Sequence, residues 1–355
     1  FFFLIHNQLH VRTIVLCLLH LGKTRAQMSC CMLSGNQMTL HMTTANIYFE
    51  HLRLGYNPNI YMARQYICRV PVHADSLKSS YITLTSKDCS TDIQDYLSII
   101  YPTRVLGGIA LCGKIAHSGG LDPEKVIEWF EVQRLLGVDK VLIFDLGNPE
   151  TLNRVFRYYQ NLGILDLQPY ELPGEPQNRS HDETMAVLEC RQRLAGYEFI
   201  IGHDVDEFII PRRDETLRDV FKKQLQREPS GSGFFFYTQF FITTWKPTNP
   251  EEDLMVKRYR RTTEPLWVSY KYVYLPSRVK AATTHRLFPY NPPFNRSRVP
   301  PSDAVLHHYR PCKLDYWGNC SVKTIIDNTM TRYRDLDERV ARARAATSTK
   351  PQWSG

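Results

Sequence analysis

The sequence predicts an α/β fold built on a parallel sheet, and three observations carry that prediction. Between Leu106 and Tyr170, strand-length apolar runs alternate with helix-length amphipathic runs. Only a few residues join one run to the next, the signature of parallel β–α–β units. Each helix-length run also has its own start and stop signals.

Leu106 to Cys112 is an apolar run that reads as a strand despite Gly107 and Gly108. Asp122-Pro123 opens a helix, with Asp as the cap and Pro at the first helical position. Val126, Trp129, Phe130, Val132, Leu135 and Leu136 give its apolar stripe, and Gly137 ends it. Val138 to Asp145 follows as a buried strand with a carboxylate at its end. Asn148-Pro149 opens a second helix, striped by Leu152, Val155, Phe156 and Tyr159 and closed by Gly163. Ile164 to Tyr170 is the next strand. In such sheets ligands bind beyond the carboxyl ends of the strands, where Asp145 lies.

Further on, His181 to Leu194 reads as a helix and Tyr197 to Gly202 as a strand. Thr216 to Leu225 is amphipathic, Gly231-Ser232-Gly233 reads as a turn, and Phe234 to Ile242 and Trp267 to Tyr274 read as strands. Prolines make Pro289 to Pro301 a loop, and Lys323 to Ala345 reads as a charged helical tail. Residues 1–60 read as an irregular, polar N-terminal segment, either a degraded anchor or stem or a stretch foreign to the native protein. Residues 61–104 read as a lead-in, 105–325 as the catalytic domain and 326–355 as a C-terminal helix and tail. The apolar runs Phe1 to Ile5 and Ile14 to Leu21 fall short of the roughly 18–20 residues of a membrane span.

The chain has 355 residues and is 43% hydrophobic, enough for one large α/β domain with extensions. Its net charge of +8 is spread without a dominant Lys/Arg run, so nucleic-acid binding is not the first reading; such charge suits an anionic ligand such as a nucleotide and equally suits plain surface charge. Nine cysteines occur without metal-finger spacing, which argues against structural zinc. Cys312 and Cys320 are close enough in sequence to pair within a short loop. Asn178, Asn295 and Asn319 begin N-x-S acceptors, and with the cysteines they lean toward an oxidising secretory lumen.

The chemistry concentrates in Ile200-Ile201-Gly202-His203-Asp204-Val205-Asp206-Glu207-Phe208-Ile209-Ile210-Pro211. Three acids sit between two apolar runs, so a strand delivers negative charge to one point at a sheet edge. Clustered carboxylates are costly there unless a cation joins them. In an extended segment Asp204 and Asp206 share a side, so both approach one Mn²⁺ or Mg²⁺. Glu207 then points the other way, toward Arg212 or Arg213. Later, Leu306-His307-His308-Tyr309-Arg310 reads either as a buried aromatic-basic cluster, the commoner account of such a His pair, or as a source of His308 as a third metal ligand and Arg310 as a phosphate contact. His285 is a comparable candidate.

Together these segments resemble glycosyltransferase family 92. The resemblance rests on Val126-Ile127-Glu128-Trp129, Leu136-Gly137-Val138, Phe144-Asp145, Glu189-Cys190 and Asp204-Val205-Asp206-Glu207-Phe208 with Pro211. It continues through Lys271-Tyr272-Val273, Pro276, His285 and His308-Tyr309-Arg310 with Cys312. It implies a GT-A-like, Rossmann-type mixed sheet flanked by helices in a single catalytic domain. It also implies metal-dependent transfer of a hexose, galactose first, from a UDP-sugar to a hydroxyl of a glycan on a glycoprotein or glycolipid. Asp204 and Asp206 would hold Mn²⁺ against the diphosphate, His308 would be a late metal or phosphate contact, and Asp145 would help cradle the nucleotide. Family members are Golgi type II membrane proteins, which implies an N-terminal anchor. His203 stands where the family runs aliphatic, Glu189 where Asp is expected and Arg191 where Leu is usual.

A carboxylate must also deprotonate the acceptor hydroxyl. Glu252, Asp253 and Asp303 are candidates, each with solvated loop charge as the simpler account. Two other readings stand beside transfer. One is an inactive, lectin-like member that binds sugar or nucleotide; the other is a metal-dependent phosphohydrolase, which needs more Asp/His ligands than the strand ends supply.

Overall fold

The structure, a computed structural model, describes residues 2–8, 11–21, 27–34, 39–50, 61–70, 80–92, 96–116, 120–170, 179–213, 216–312, 320 and 323–348. The acceptors Asn178 and Asn319 lie outside the described residues. The chain begins with β1 (Phe2–Gln8), β2 (Val11–Leu21), β3 (Met28–Ser34), β4 (Thr39–Glu50), β5 (Tyr61–Arg69), β6 (Ser80–Thr85) and β7 (Leu97–Ser98). Next come β8 (Val105–Ala116), α1 (Pro123–Leu135), β9 (Lys140–Asp145), α2 (Glu150–Asn161), β10 (Leu165–Pro169) and α3 (Arg179–Arg193). They are followed by β11 (Tyr197–Gly202), β12 (Glu207–Pro211), α4 (Leu217–Arg227), β13 (Gly231–Ile242), α5 (Met255–Arg258), β14 (Arg261–Thr263) and β15 (Leu266–Tyr274). The remainder is β16 (Val279–Thr283), β17 (Arg286–Pro289), β18 (Asn295–Arg298), β19 (Ala304–Arg310), β20 (Thr324–Ile326), a 3-10 turn (Thr329–Arg332) and α6 (Leu336–Ser348). No helix among the described residues is long and apolar enough to cross a membrane.

The chain forms two compact units. The first takes Phe1–Leu106, Glu171–Glu198 and Pro276–Phe288. Its seven-stranded sheet, ordered β1-β2-β5-β4-β3-β6-β7, corrects the irregular reading of residues 1–60. Polar residues break the local pattern there, and the strands exist through distant partners: Ile14 pairs with Cys68, and Cys30 with Leu84. Cys30 and Cys31 are neighbours on β3, so they face opposite sides of the sheet. Cys30 is bonded to Cys68 and Cys31 to Cys89. In the same unit Arg191 is fully buried, and its guanidinium donates to the carbonyls of Pro276 (2.9 Å) and Val279 (3.0 and 2.9 Å). Glu189 pairs with Arg193 at 2.5 Å. Both departures from the family pattern around Cys190 are therefore satisfied structurally.

The second unit takes Gly107–Tyr170, Phe199–Leu275 and Pro289–Gly355. It holds the mixed α/β sheet that the sequence predicts, ordered β10-β9-β8-β11-β15-β13-β19-β12, with β18 beside β13. β8, β9 and β10 run parallel. β15 runs antiparallel to β11 and β13, while β19 runs parallel to β13 and antiparallel to β12. The helix signals act as expected. Asp122 accepts the N–H of Glu124 at 3.1 Å, and Gly137 leaves α1 with φ +89°. α2 is capped by Pro149, which has no side-chain acceptor to offer, and the Asn148 amide N–H groups donate to the Ala116 carbonyl and Asp145. Trp129, Phe130, Phe156 and Tyr159 are buried in the main core.

Three expectations need correction in this unit. Gly231-Ser232-Gly233 begins β13 and is not a turn; the Phe234 ring fills the space a Cβ on Gly231 would need, at 2.6 Å. The proline-rich loop contains β18, which pairs with β13 through backbone groups that its prolines do not occupy. The charged tail is three elements rather than one helix, and α6 is not peripheral. Leu336, Val340 and Ala343 of α6 are buried in the same core as α1. Cys312 and Cys320 are bonded, as their spacing predicts.

Glu128 couples α1 to α5. Buried on α1, it accepts the N–H groups of Met255 (2.9 Å) and Val256 (2.8 Å). Burial pushes its carboxyl up to about 7, against the pull of these donors and of Arg344. The folded value lies above the ordinary 4.5, so its stabilising contribution is complete below that pH and is lost as pH rises through 7. Glu128→Gln should remove roughly 3 kcal/mol of this pH dependence. Urea titrations between pH 5 and 8 will show a flatter stability profile than wild type; equal slopes would refute the assignment.

Candidate active site

The acidic segment is a turn joining β11 to β12. The N–H of Glu207 donates to the carbonyl of Asp204 at 3.1 Å, and the N–H of Asp204 donates to Glu207 Oε2 at 2.8 Å. Strand alternation therefore does not apply, and Asp204 and Asp206 face different partners. This corrects the extended geometry inferred from the sequence. Gly202 makes the approach possible, since a Cβ there would meet the Tyr272 ring at 2.7 Å. His203 is buried edge-on to Trp129, with ring centroids 5.9 Å apart. Burial pushes its imidazole down to about 4, so it is neutral at pH 7 and occupies a core position.

Asp204 has a lysine on each carboxylate oxygen. Lys114 Nζ lies 2.8 Å from Oδ1 and Lys271 Nζ 2.5 Å from Oδ2. Burial alone would raise the Asp204 carboxyl, but the two ammonium groups prevail and hold it well below the usual range. Lys271 also lies 3.1 Å from Glu207 Oε2. Burial would lower the Lys271 ammonium, yet Asp204 and Glu207 hold it above its ordinary value.

Asp206, Glu207 and His308 form the metal-competent group. One ligand atom from each lies within 4.8 Å of the others. His308 Nε2 is 3.3 Å from Asp206 Oδ2, and His308 Nδ1 is 3.3 Å from Glu207 Oε1. The β12–β19 ladder sets this geometry by placing Glu207 opposite His308. Trp129 fixes the turn from below, donating its indole N–H to the Glu207 carbonyl at 3.1 Å. Burial pushes the Glu207 carboxyl up, against the opposing pull of Lys271. Among the described residues, Glu207 Oε1 and His308 Nδ1 are buried without a hydrogen bond. A cation would satisfy both, and two carboxylates with an imidazole suit Mn²⁺ or Mg²⁺, so the residues fit the metal.

Glu207 thus corrects the expected partnership with Arg212 or Arg213. Arg212 bonds instead to Asp327, Thr329 and Gln239, and Arg213 is exposed. Arg310 ends β19 two residues beyond His308, on the same side by strand alternation. Asp145 caps its own turn, accepting from Gly147 N–H at 3.0 Å and Asn148 Nδ2 at 2.5 Å. His285 lies in the exposed turn between β16 and β17 of the first unit.

The candidate bases each have ion-pair partners of their own. Asp303 pairs with Arg227 and with Lys223 (3.7 Å) just before β19, at the far end of the ladder from His308. Asp253 pairs with Arg344, and Glu252 with Arg260 at 3.4 Å. Glu252 and Asp253 are each held by an arginine at the surface, as solvated loop charge would be, whereas Asp303 is buried and ion-paired.

Sequence reasoning missed Lys114 and gave Lys271 no role. A signal was present for both. Lys114 follows Leu111-Cys112-Gly113 and precedes Ile115-Ala116, and Lys271 sits among aromatic strand residues. A lysine inside an apolar strand is buried only when paired.

The sheet, with clustered acids and an imidazole at its strand ends, is that of a GT-A-like glycosyltransferase. The chain belongs to glycosyltransferase family 92, whose profile matches residues 112–350. It is 26% identical over 123 residues to the beta-1,4-galactosyltransferase galt-1 of Caenorhabditis elegans. That match covers 34% of this chain and 29% of the relative, so the chain spans less than a third of the relative's length. A putative glucose-1-phosphate thymidylyltransferase from Bacillus anthracis, solved with sucrose, aligns at 11% identity over 48% of this chain and 71% of its own. The TM-score of that alignment is 0.27.

Proposed function

We propose that the protein transfers a hexose, galactose first, from a UDP-sugar to a hydroxyl of a protein- or lipid-linked glycan. The observation that carries this is the Asp206–Glu207–His308 group at the strand ends of a family 92 chain. These three residues would hold Mn²⁺ or Mg²⁺, with Asp204 beside them in the grip of Lys114 and Lys271. When bound, the ion supplies Lewis-acid stabilisation of the departing diphosphate. The chain's own contribution is placement. Trp129 and the β12–β19 ladder fix the donor atoms, and Arg310 extends positive charge along β19 toward phosphate. A donor screen with Mn²⁺, UDP-galactose first, against a panel of glycan acceptors tests the reading. Binding of UDP without turnover across the panel would favour an inactive, sugar-binding member. Failure of every UDP-sugar to bind would sink the assignment.

The same proposal places the protein in the Golgi lumen, as a type II membrane protein like its family. The Cys30–Cys68, Cys31–Cys89 and Cys312–Cys320 bonds support an oxidising compartment. Asn295 is exposed at the start of β18, so its acceptor sequence is open to modification. Protein recovered from the Golgi membranes of expressing animal cells should carry a glycan at Asn295, detected as Asn-to-Asp conversion there after glycanase treatment. An unmodified Asn295 in that protein would count against lumenal glycosylation at this site.

A further inference from the structure

We propose that Lys114 and Lys271 are built-in counter-ions that make cation binding at Asp206, Glu207 and His308 depend on a diphosphate-bearing ligand. This rests on the reading of that cluster as the donor site. The geometry is specific. Lys114 has a left-handed backbone, φ +57°, where the pairing of β8 with β9 shifts register between Cys112 and Ile115. A non-glycine residue held there is strained, and such irregularities re-aim side chains. Here the strain aims a buried ammonium at Asp204 Oδ1, 2.8 Å away. Lys271, equally buried, reaches Asp204 Oδ2 at 2.5 Å and Glu207 Oε2 at 3.1 Å.

The charge count follows from these contacts. Asp204, Asp206 and Glu207 bring three carboxylates to this point, and Lys114 and Lys271 bring two ammonium groups. At most one net negative charge is left for a divalent ion. One ligand, Glu207, is shared with an ammonium that would repel the ion across it. A diphosphate supplies the missing negative charge and further oxygen ligands. Cation and diphosphate therefore bind each other's site reciprocally, each raising the other's affinity by the same factor. Both lysines act through Asp204 and Glu207, so they are positioning residues.

Equilibrium dialysis of the whole chain with Mn²⁺ alone, then with inorganic pyrophosphate on both sides of the membrane, reads this directly. Pyrophosphate should tighten Mn²⁺ binding at least tenfold, after correction for the complex the two form in solution. Lys271→Met, checked by circular dichroism, should tighten binding of Mn²⁺ alone about tenfold and shrink the pyrophosphate effect; Lys271→Arg should restore wild-type coupling. Equal Mn²⁺ affinity in wild type with and without pyrophosphate overturns the proposal, whatever the variants do. A folded Lys271→Met with unchanged coupling also overturns it. If pyrophosphate couples but UDP adds nothing, the counter-ion proposal stands and the nucleotide-sugar reading fails instead.

Discussion

Asp206→Asn is expected to lower glycosyl transfer by about 10²–10³-fold while leaving the fold intact. Asp206 is the exposed member of the cluster, so its replacement leaves no buried orphan charge. Its carboxylate oxygen lies 3.3 Å from His308 Nε2, and an amide there offers one weaker oxygen to a hard cation. His308→Ala should cost a similar factor, because the imidazole touches both acids. The two losses should not multiply if, as proposed, both residues hold one ion. Turnover assays with saturating Mn²⁺, alongside thermal melts, separate lost chemistry from lost fold. Full activity in either folded variant would remove the metal role from this cluster.

Trp129→Ala should destabilise the protein by about 3–5 kcal/mol, the largest single-residue loss we expect. The indole is fully buried, edge-on to Phe130 at 5.0 Å and to His203 at 5.9 Å. Its N–H also holds the Glu207 carbonyl, so one side chain supports both the core and the acidic turn. Trp129→Phe separates the two roles. It keeps most of the packing and removes the hydrogen bond, which should cost about 1–3 kcal/mol and loosen the turn. Chemical denaturation of both variants checks the order. A Phe variant as unstable as the Ala variant would assign the whole effect to the hydrogen bond.

The half of the sheet from β8 to β10 was legible because its information is local. Asp122-Pro123, the apolar stripe of α1 and Gly137 each act within a few residues, and they mark the helix that the structure contains. The first unit was illegible for the opposite reason. β2 lies against β5 and β3 against β6, so no short window shows why either is a strand. The site divides in the same way. Asp206 and His308 were readable as residue types suited to a cation. Glu207 reaches the cluster because the backbone turns at Asp204, where the apolar pattern on either side implies a continuous strand. Lys114 depends on an irregularity between Cys112 and Ile115 that a period-two pattern cannot display.

α6 has a consequence for how the protein is made. Its Leu336, Val340 and Ala343 complete a core begun by α1, more than two hundred residues earlier in the chain. During synthesis that apolar surface of α1 must wait until α6 has left the ribosome. The nascent chain therefore carries an open hydrophobic face through most of translation, and chaperone binding should concentrate on the segment from α1 onward until synthesis passes Ser348.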